Sequence, residues 1–367
     1  MNVVFFMQDT GAVFGAERAT IDLAVGLRAN GDTPRIVLMV EQRRAGQPSG
    51  LQDALRAEGL PVNLLPVRGR VSRALAAALR ATFIEHHGDV LHVIGYKANL
   101  HARLAGIRPV VATVHGWLFR RDVKERIYDA IDRWCLRRCD RVVCLSRYYE
   151  QLLLDHGVAR EALVRIPSGL RELPGPVAPR APAAGAPVTF GMMGRFSEEK
   201  NHALFVEAAR QVVAERPEAR FVIAGQGPLE AEIRAAVKRA GLEPVVSFPG
   251  YTSVAAFMGG IDVYVMCSTI ENLPYSILEA MAWSRPVIGT HVGGIPDLVD
   301  HGRSGRLVPL GDAEALSDAM LLLVRQPERI PAMGAEGKAR LDRLFSWASS
   351  VKAHQGVYRN LVEAHRG

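Results

Sequence analysis

The stretch "IDVYVMCSTIENLPYSILEAMAWSRPVIGTHVGGIPDLV", Ile261 to Val299, decides how this chain folds. Two short β-branched runs, "IDVYVMCS" and "RPVIGT", are too brief for helices and carry no polar alternation, which predicts strands buried on both faces. Between them Pro274 is pre-set for the first position of a helix, and the apolar residues Ile277, Leu278, Ala280, Met281 and Ala282 continue it. After the second run Pro296 opens another helix. Strand, loop, helix, repeated in this order, predicts a parallel sheet covered by helices.

The same rhythm extends in both directions. "VTFGMMG", "RFVIAG" and "VVSFPG" precede this stretch, and "VVFFM", "PRIVLMV", "DVLHVI", "PVVATV" and "RVVCLS" occupy the first half, alternating with helical patterns such as "AERATIDLAVGLRANG". The one strong break is "ELPGPVAPRAPAAGAPV", Glu172 to Val188, dense in Pro, Ala and Gly. It reads as a linker. The expected division is a Rossmann-like domain at 1–171, a linker at 172–187 and a second Rossmann-like domain at 188–350. A last helix, about 351–367, crosses back to the first.

The 367 residues suit two domains of ordinary size, with 49% hydrophobic and 23% charged residues. No apolar run is long enough for a membrane span, and "MNVVFFMQDTG" reads as a first strand rather than a signal peptide, so a cytoplasmic location is expected. Four cysteines make no disulfide framework, and no His, Cys or Asp spacing suggests a metal site. Neither metal nor cofactor is expected. The net charge of +7 lies wholly in the first half: residues 1–174 hold 25 Lys and Arg against 18 Asp and Glu, residues 175–367 hold 20 of each. That points the first half at an anionic partner. No nucleic-acid motif is present, and the aromatics are not interleaved with the basic residues.

In parallel sheets of this kind ligands bind beyond the carboxyl ends of the strands, so the loops there carry the chemistry. After "VTFGMMG", Gly194 leads to Arg195 and Lys200, two cations next to a helix start with Asn201 as its N-cap. That is a site for a diphosphate. After "IDVYVMCS" stands Glu271, and Glu279 follows inside the next helix, leaning back toward its start, where a carboxylate would hold the vicinal diol of a ribose. Gly293 and Gly294 let backbone approach a ligand closely. "AGQGPLE" has Glu230 where a dinucleotide fingerprint needs its last Gly, which weakens a nicotinamide or flavin reading. In the first half Gly15 begins a helix with bare N–H groups. His115 ends a strand beside Gly116, a place occupied by hydrogen-bonded structural histidines as well as by catalysts.

"GRFSEEKN", "ENLPYSILEAMA" and "GTHVGGIPDLV" together resemble the nucleotide-sugar half of the family 4 retaining glycosyltransferases. Glu271 and Glu279, with seven residues between them, look like that family's pair of acids. "FGAERAT", "DVLHVIGYKAN", "VATVHGW" and "RIPSGL" extend the resemblance over nearly the whole chain. It implies an α/β protein of the GT-B fold, two Rossmann-like domains facing each other across a cleft. It further implies a metal-independent enzyme that moves a sugar from a UDP- or GDP-sugar to an acceptor hydroxyl, in cell-surface polysaccharide or glycolipid synthesis.

Residue by residue, the resemblance implies that Arg195 and Lys200 hold the diphosphate, Glu279 the ribose and Glu271 the sugar hydroxyls. Gly194 and the N–H groups near Asn272 and Leu273 would touch the donor, Gly15 would approach the diphosphate, and His115 would lie against the sugar. The chain departs from the family pattern at Phe14, at Asn272, at Ser168, and at Gly95-Tyr96-Lys97. A sugar-nucleotide epimerase or hydrolase, and a non-catalytic nucleotide-sugar-binding subunit, are the competing readings.

"WLFRRDVKERIYDAIDRWCLRRCDR", Trp117 to Arg141, places Val123, Ile127, Ile131 and Trp134 at helical spacing among eight basic and five acidic residues. One reading is a helix packed on the sheet through these residues. The sharper one sets Arg120, Arg121, Lys124 and Lys97 against an anionic leaflet at the inner face of the membrane, where a lipid-linked acceptor would reside.

Overall fold

In the computed structural model of the chain the described residues are 1–116, 123–172, 175, 177, 179, 181, 182 and 185–366, with backbone alone for 123–125. They form two compact units, Leu170–Ser346 being one, and Met1–Gly169 with the last helix, Trp347–Arg366, the other.

The first unit has seven strands: β1 (Asn2–Gln8), β2 (Thr33–Glu41), β3 (Val62–Val67), β4 (Val90–Ile94), β5 (Val110–Val114), β6 (Arg141–Cys144) and β7 (Leu163–Arg165). They lie in the order β3-β2-β1-β4-β5-β6-β7, every pair parallel. The order reverses between β1 and β4, the place where an open α/β sheet leaves a crevice for ligands. Side chains alternate across the sheet. Val4, Phe6, Val37 and Leu91 meet Leu79, Ala102 and Leu136 on one face, while Val3, Phe5, Ile36 and Leu38 meet Leu27, Tyr358 and Leu361 on the other. Burying each large side chain contributes roughly 1.5–3 kcal/mol.

The last helix is therefore part of the first unit's core, and it starts at Trp347, four residues before the sequence suggests. Trp347 Nε1 donates to the Asp22 carbonyl at 3.0 Å, and Gln355 Nε2 donates to Asp32 at 2.6 Å. A Cβ on Gly26 would stand 2.4 Å from Val351, so the absence of a side chain there lets the helix Gly15–Ala29 close on the last helix. His92 ties the layers together: one ring nitrogen meets the Tyr358 hydroxyl at 2.6 Å, the other the Thr113 hydroxyl at 2.7 Å.

The second unit has six strands: β8 (Thr189–Met193), β9 (Arg220–Ala224), β10 (Val246–Gly250), β11 (Val263–Met266), β12 (Val287–Thr290) and β13 (Gly305–Val308). The order β10-β9-β8-β11-β12-β13, again all parallel, puts its reversal between β8 and β11. Among the described residues no helix is long and apolar enough to cross a membrane.

Candidate functional site

In the second unit three loops meet above the β8/β11 reversal. The loop after β8 is fixed by Gly194 N–H to the Ala224 carbonyl, by Phe196 N–H to the Gln226 carbonyl, and by burial of the Phe196 ring. A Cβ on Gly225 would lie 1.9 Å from the Gly194 oxygen, and one on Gly227 2.4 Å from that of Phe196. The glycines of "AGQG" thus serve to nest one loop against the next. One 3₁₀ turn, Glu198–Lys200, leads into the helix His202–Glu215. Asn201 occupies the N-cap as expected, but at φ 52° and with no capping bond from its side chain. Asn is among the few residues that tolerate this left-handed backbone.

The loop and this turn carry two cations, each held by a carboxylate. Arg195 Nη2 meets Glu199 Oε1 at 2.6 Å, and Lys200 Nζ meets Glu271 Oε1 at 2.5 Å, the second pair largely shielded from solvent. Burial would raise the Glu199 carboxyl, but hydrogen bonds from Arg195 and Ser197 outweigh it and hold the group below the usual range. The Thr269 N–H donates to the Glu199 carbonyl at 2.8 Å, which stitches the loop after β11 to the loop after β8.

Glu271 is set from behind by the loop after β12. The Gly294 N–H donates to the Glu271 carbonyl at 3.1 Å. Gly293 has φ +51°, and a Cβ there would fall 1.8 Å from the same carbonyl oxygen. The missing side chain of Gly293 therefore lets the protein's own loops press together. Asn272, Leu273 and Pro274 are buried, and Pro274 is the N-cap, so the helix Tyr275–Ala282 begins one residue later than expected. Glu279 is half-buried on that helix.

Sequence reasoning missed two residues here. Tyr264 is fully buried in β11, and its hydroxyl donates to the Met193 carbonyl at 3.1 Å, bridging β11 to β8. Burial pushes its phenol pKa up, a contact with Ser276 counteracts, and the charges of Glu279 and Glu271 push it further up. Both carboxylates therefore act on one buried hydroxyl. A lone Tyr in an aliphatic strand was the available signal. His202 lies buried edge-on against Phe196, and burial followed by the Lys200 charge lowers it to about 4, so its imidazole is neutral beside that cation.

In the first unit Gly15 is exposed at the first turn of its helix, with nothing within 4 Å of where a Cβ would stand. Glu17 reaches back to accept from the Phe14 N–H at 3.1 Å and from the Thr10 hydroxyl at 3.0 Å. His115 follows β5, and burial, with a smaller push from His354, lowers it to about 4. Lys97 pairs with Glu41 at 2.7 Å, and that hydrogen bond holds Glu41 low. Both Lys97 and His115 line a cavity of about 1180 Å³ at the carboxyl ends of β1 to β5.

The helix Val123–Leu136 does not pack through Ile127 and Trp134, as the first of the two sequence readings expects. It buries Asp132, Cys135 and Leu136, while Ile127 is 55% and Trp134 40% exposed. Arg103 and Arg138 stand over the Trp134 ring. Lys97 belongs to the cavity wall and not to this outer face. Arg120, Arg121 and the Lys124 side chain lie outside the described residues.

Known proteins agree with this architecture. Residues 13–171 match the family described as Glycosyltransferase Family 4, and residues 187–326 match Glycosyl transferases group 1. The chain is 31% identical over 278 residues to the putative colanic acid biosynthesis glycosyltransferase WcaL of Escherichia coli, covering 72% of this chain and 66% of that protein. It is 34% identical to the 2-deoxystreptamine N-acetyl-D-glucosaminyltransferase of Streptomyces fradiae over 64% of this chain and 57% of that one. The matched regions thus span between about half and two thirds of the length of these curated relatives. Anabaena HepE, solved in complex with UDP-glucose, superposes with a TM-score of 0.81 at 20% identity, covering 98% of this chain and 100% of that one. The fold is GT-B, and the chain belongs to the family 4 glycosyltransferases.

Proposed function

We propose that this protein is a retaining, metal-independent glycosyltransferase that moves a sugar from a UDP- or GDP-sugar to an acceptor hydroxyl in cell-surface polysaccharide or glycolipid synthesis. The observation that carries this reading is the Arg195, Lys200, Glu271 and Glu279 set, gathered over the β8/β11 reversal beside two helix starts. Helix N-termini and fixed cations stabilise a departing diphosphate without a metal ion. Arg195 and Lys200 take that role. The Glu271 oxygen not paired with Lys200 accepts from a sugar hydroxyl, and Glu279 accepts from the ribose diol. The acceptor hydroxyl attacks from the face that the diphosphate leaves, and its proton goes to the leaving phosphate oxygen. WcaL's name and the UDP-glucose held by HepE support a polysaccharide pathway and a nucleotide-sugar donor.

The exposed Ile127, and the exposed Trp134 with Arg103 and Arg138 over its ring, further support docking to an anionic leaflet at the inner membrane face, the apolar tips entering while the guanidinium groups meet phosphates.

A panel of UDP- and GDP-sugars, offered with and without lipid-linked and free saccharide acceptors, tests the reading. Acceptor-dependent nucleotide release, unaffected by chelator and giving a product of unchanged anomeric configuration by NMR, supports it. Release without acceptor makes the protein a hydrolase or epimerase, and tight binding without turnover makes it a binding subunit. Activity that needs Mg²⁺ or Mn²⁺ overturns metal independence.

A further inference from the structure

The charges lining the first unit's cavity are unevenly satisfied. Glu41 is held by Lys97 at 2.7 Å and by Arg43 at 2.6 Å. Glu17 accepts from Thr10 and Phe14, and Asp132 accepts from the Asn99 amide at 2.6 Å. Arg68 and Arg70 remain, both exposed on the loop that follows β3 and both lining the cavity. Among the described residues neither makes an ion pair or a hydrogen bond.

Arg70 is nevertheless held in place. Its guanidinium lies over the Tyr128 ring, 5.1 Å from the centroid, and Tyr128 is itself stacked on Tyr96 at 5.1 Å with 24° between the ring planes. A cation–π contact of this kind braces the guanidinium without using up its N–H donors, which can still meet two oxygens. Asp129 also lines the cavity, but the charges acting on its carboxyl are Arg133 and His156. Two guanidinium groups two residues apart, both lining the cavity and one of them braced by an aromatic ring, suit a ligand that bears an oxyanion.

We propose that Arg68 and Arg70 form an oxyanion subsite of this cavity, so that the acceptor is a saccharide carrying a phosphate or a carboxylate. Calling that ligand the acceptor rests on the glycosyltransferase reading; the subsite itself does not. The phosphate would come from a lipid-phosphate-linked sugar, the carboxylate from a uronic acid.

Calorimetric titration of the full chain with octyl glucoside, octyl glucuronide and octyl phosphate, each below its micelle concentration, tests this. At least one anionic probe is expected to bind about tenfold or more tightly than the glucoside, and that preference to vanish in Arg68→Gln/Arg70→Gln. Preference for the glucuronide assigns the oxyanion to a uronate, and preference for the phosphate to a lipid phosphate. UDP titration of the same samples checks the second unit independently. Equal binding of neutral and anionic probes, an anionic preference that survives the double substitution, or no anionic binding by protein that still binds UDP, each overturns the subsite. Anionic binding that depends on the two arginines in protein that binds no nucleoside diphosphate keeps the subsite and removes the glycosyltransferase reading.

Discussion

Lys200 and Glu271 come from loops 71 positions apart and meet at 2.5 Å, so each orients the other before any ligand arrives. Lys200→Ala and Arg195→Ala are each expected to lower turnover by on the order of 10²-fold or more, because each removes stabilisation of the leaving diphosphate. Steady-state rates within a few-fold of the unmodified protein would refute that role. Glu279→Gln is expected to weaken binding of the free nucleoside diphosphate, while Glu271→Gln mainly slows transfer. Calorimetric affinities for UDP and GDP decide this, and equal weakening by both would end the division of labour. Gly293→Ala makes a sharper case, since its Cβ would fall 1.8 Å from the Glu271 carbonyl at a residue with φ +51°. The loop must move. Transfer is expected to drop about tenfold or more, with far-ultraviolet circular dichroism unchanged. The glycine was conspicuous in the sequence, but its partner was not, because a contact between loops after β11 and β12 exists only once the two strands lie side by side.

At the scale of elements, the helix Val123–Leu136 shows what periodicity leaves open. Ile127, Ile131 and Trp134 share one stripe, and the sequence offers that stripe as the packed face. In the fold Asp132 takes an interior place because the Asn99 amide donates to it, and Leu136 with Cys135 supplies the apolar contact. The stripe is displaced outward. Sedimentation with vesicles checks its role: binding is expected to rise with anionic lipid, fall with salt, and weaken both in Arg120→Gln/Arg121→Gln/Lys124→Gln and in Trp134→Asp. Indifference to lipid charge would return the helix to an ordinary solvated surface. Edge strands were the other blind spot. β3, β7 and β13 escaped sequence reading, and each closes one side of a sheet. A strand with one neighbour needs no continuous apolar run, and β3 even accommodates Pro66, whose missing N–H an edge tolerates.

For the whole molecule, acid is the simplest probe of both units. His354 in the first and His202 in the second are buried and lowered from the usual 6.5 to about 4, chiefly by burial. The unfolded chain therefore takes up protons on these groups before the folded one does. Stability is full above pH 6.5, falls between pH 6.5 and 4, and has lost its whole contribution from these groups below pH 4. At pH 5 the loss is on the order of 1–2 kcal/mol for each histidine. Urea denaturation at pH 7.5 and pH 5 measures it, and His354→Gln and His202→Gln are each expected to reduce the pH dependence. A pH-independent midpoint over that range would show that neither imidazole is buried neutral. Removal of the last helix tests architecture instead: a chain ended at Ser346 loses the buried Val351, Tyr358 and Leu361, and the first unit is expected to expose apolar surface and aggregate.

The central strands, the two-unit organisation and the loop and helix-start positions of Arg195, Lys200, Glu271 and Glu279 were legible in the sequence. A strand buried on both faces must be apolar throughout, and functional groups of a parallel sheet sit where such runs end. What only the tertiary structure decided was which groups are paired and which are left available. Lys97 looks like an open cation in "GYKAN" and is held by Glu41 from a strand 56 positions away. Arg68 and Arg70 look like solvated loop charges and instead rim a cavity, one of them braced by Tyr128. Tyr264 looks like a core residue, and the charges of Glu279 and Glu271 both push its phenol pKa up. The physical reason is range: burial and secondary structure follow from a residue and its near neighbours, whereas an ion pair falls off within a few ångströms and depends on which strands the topology makes adjacent.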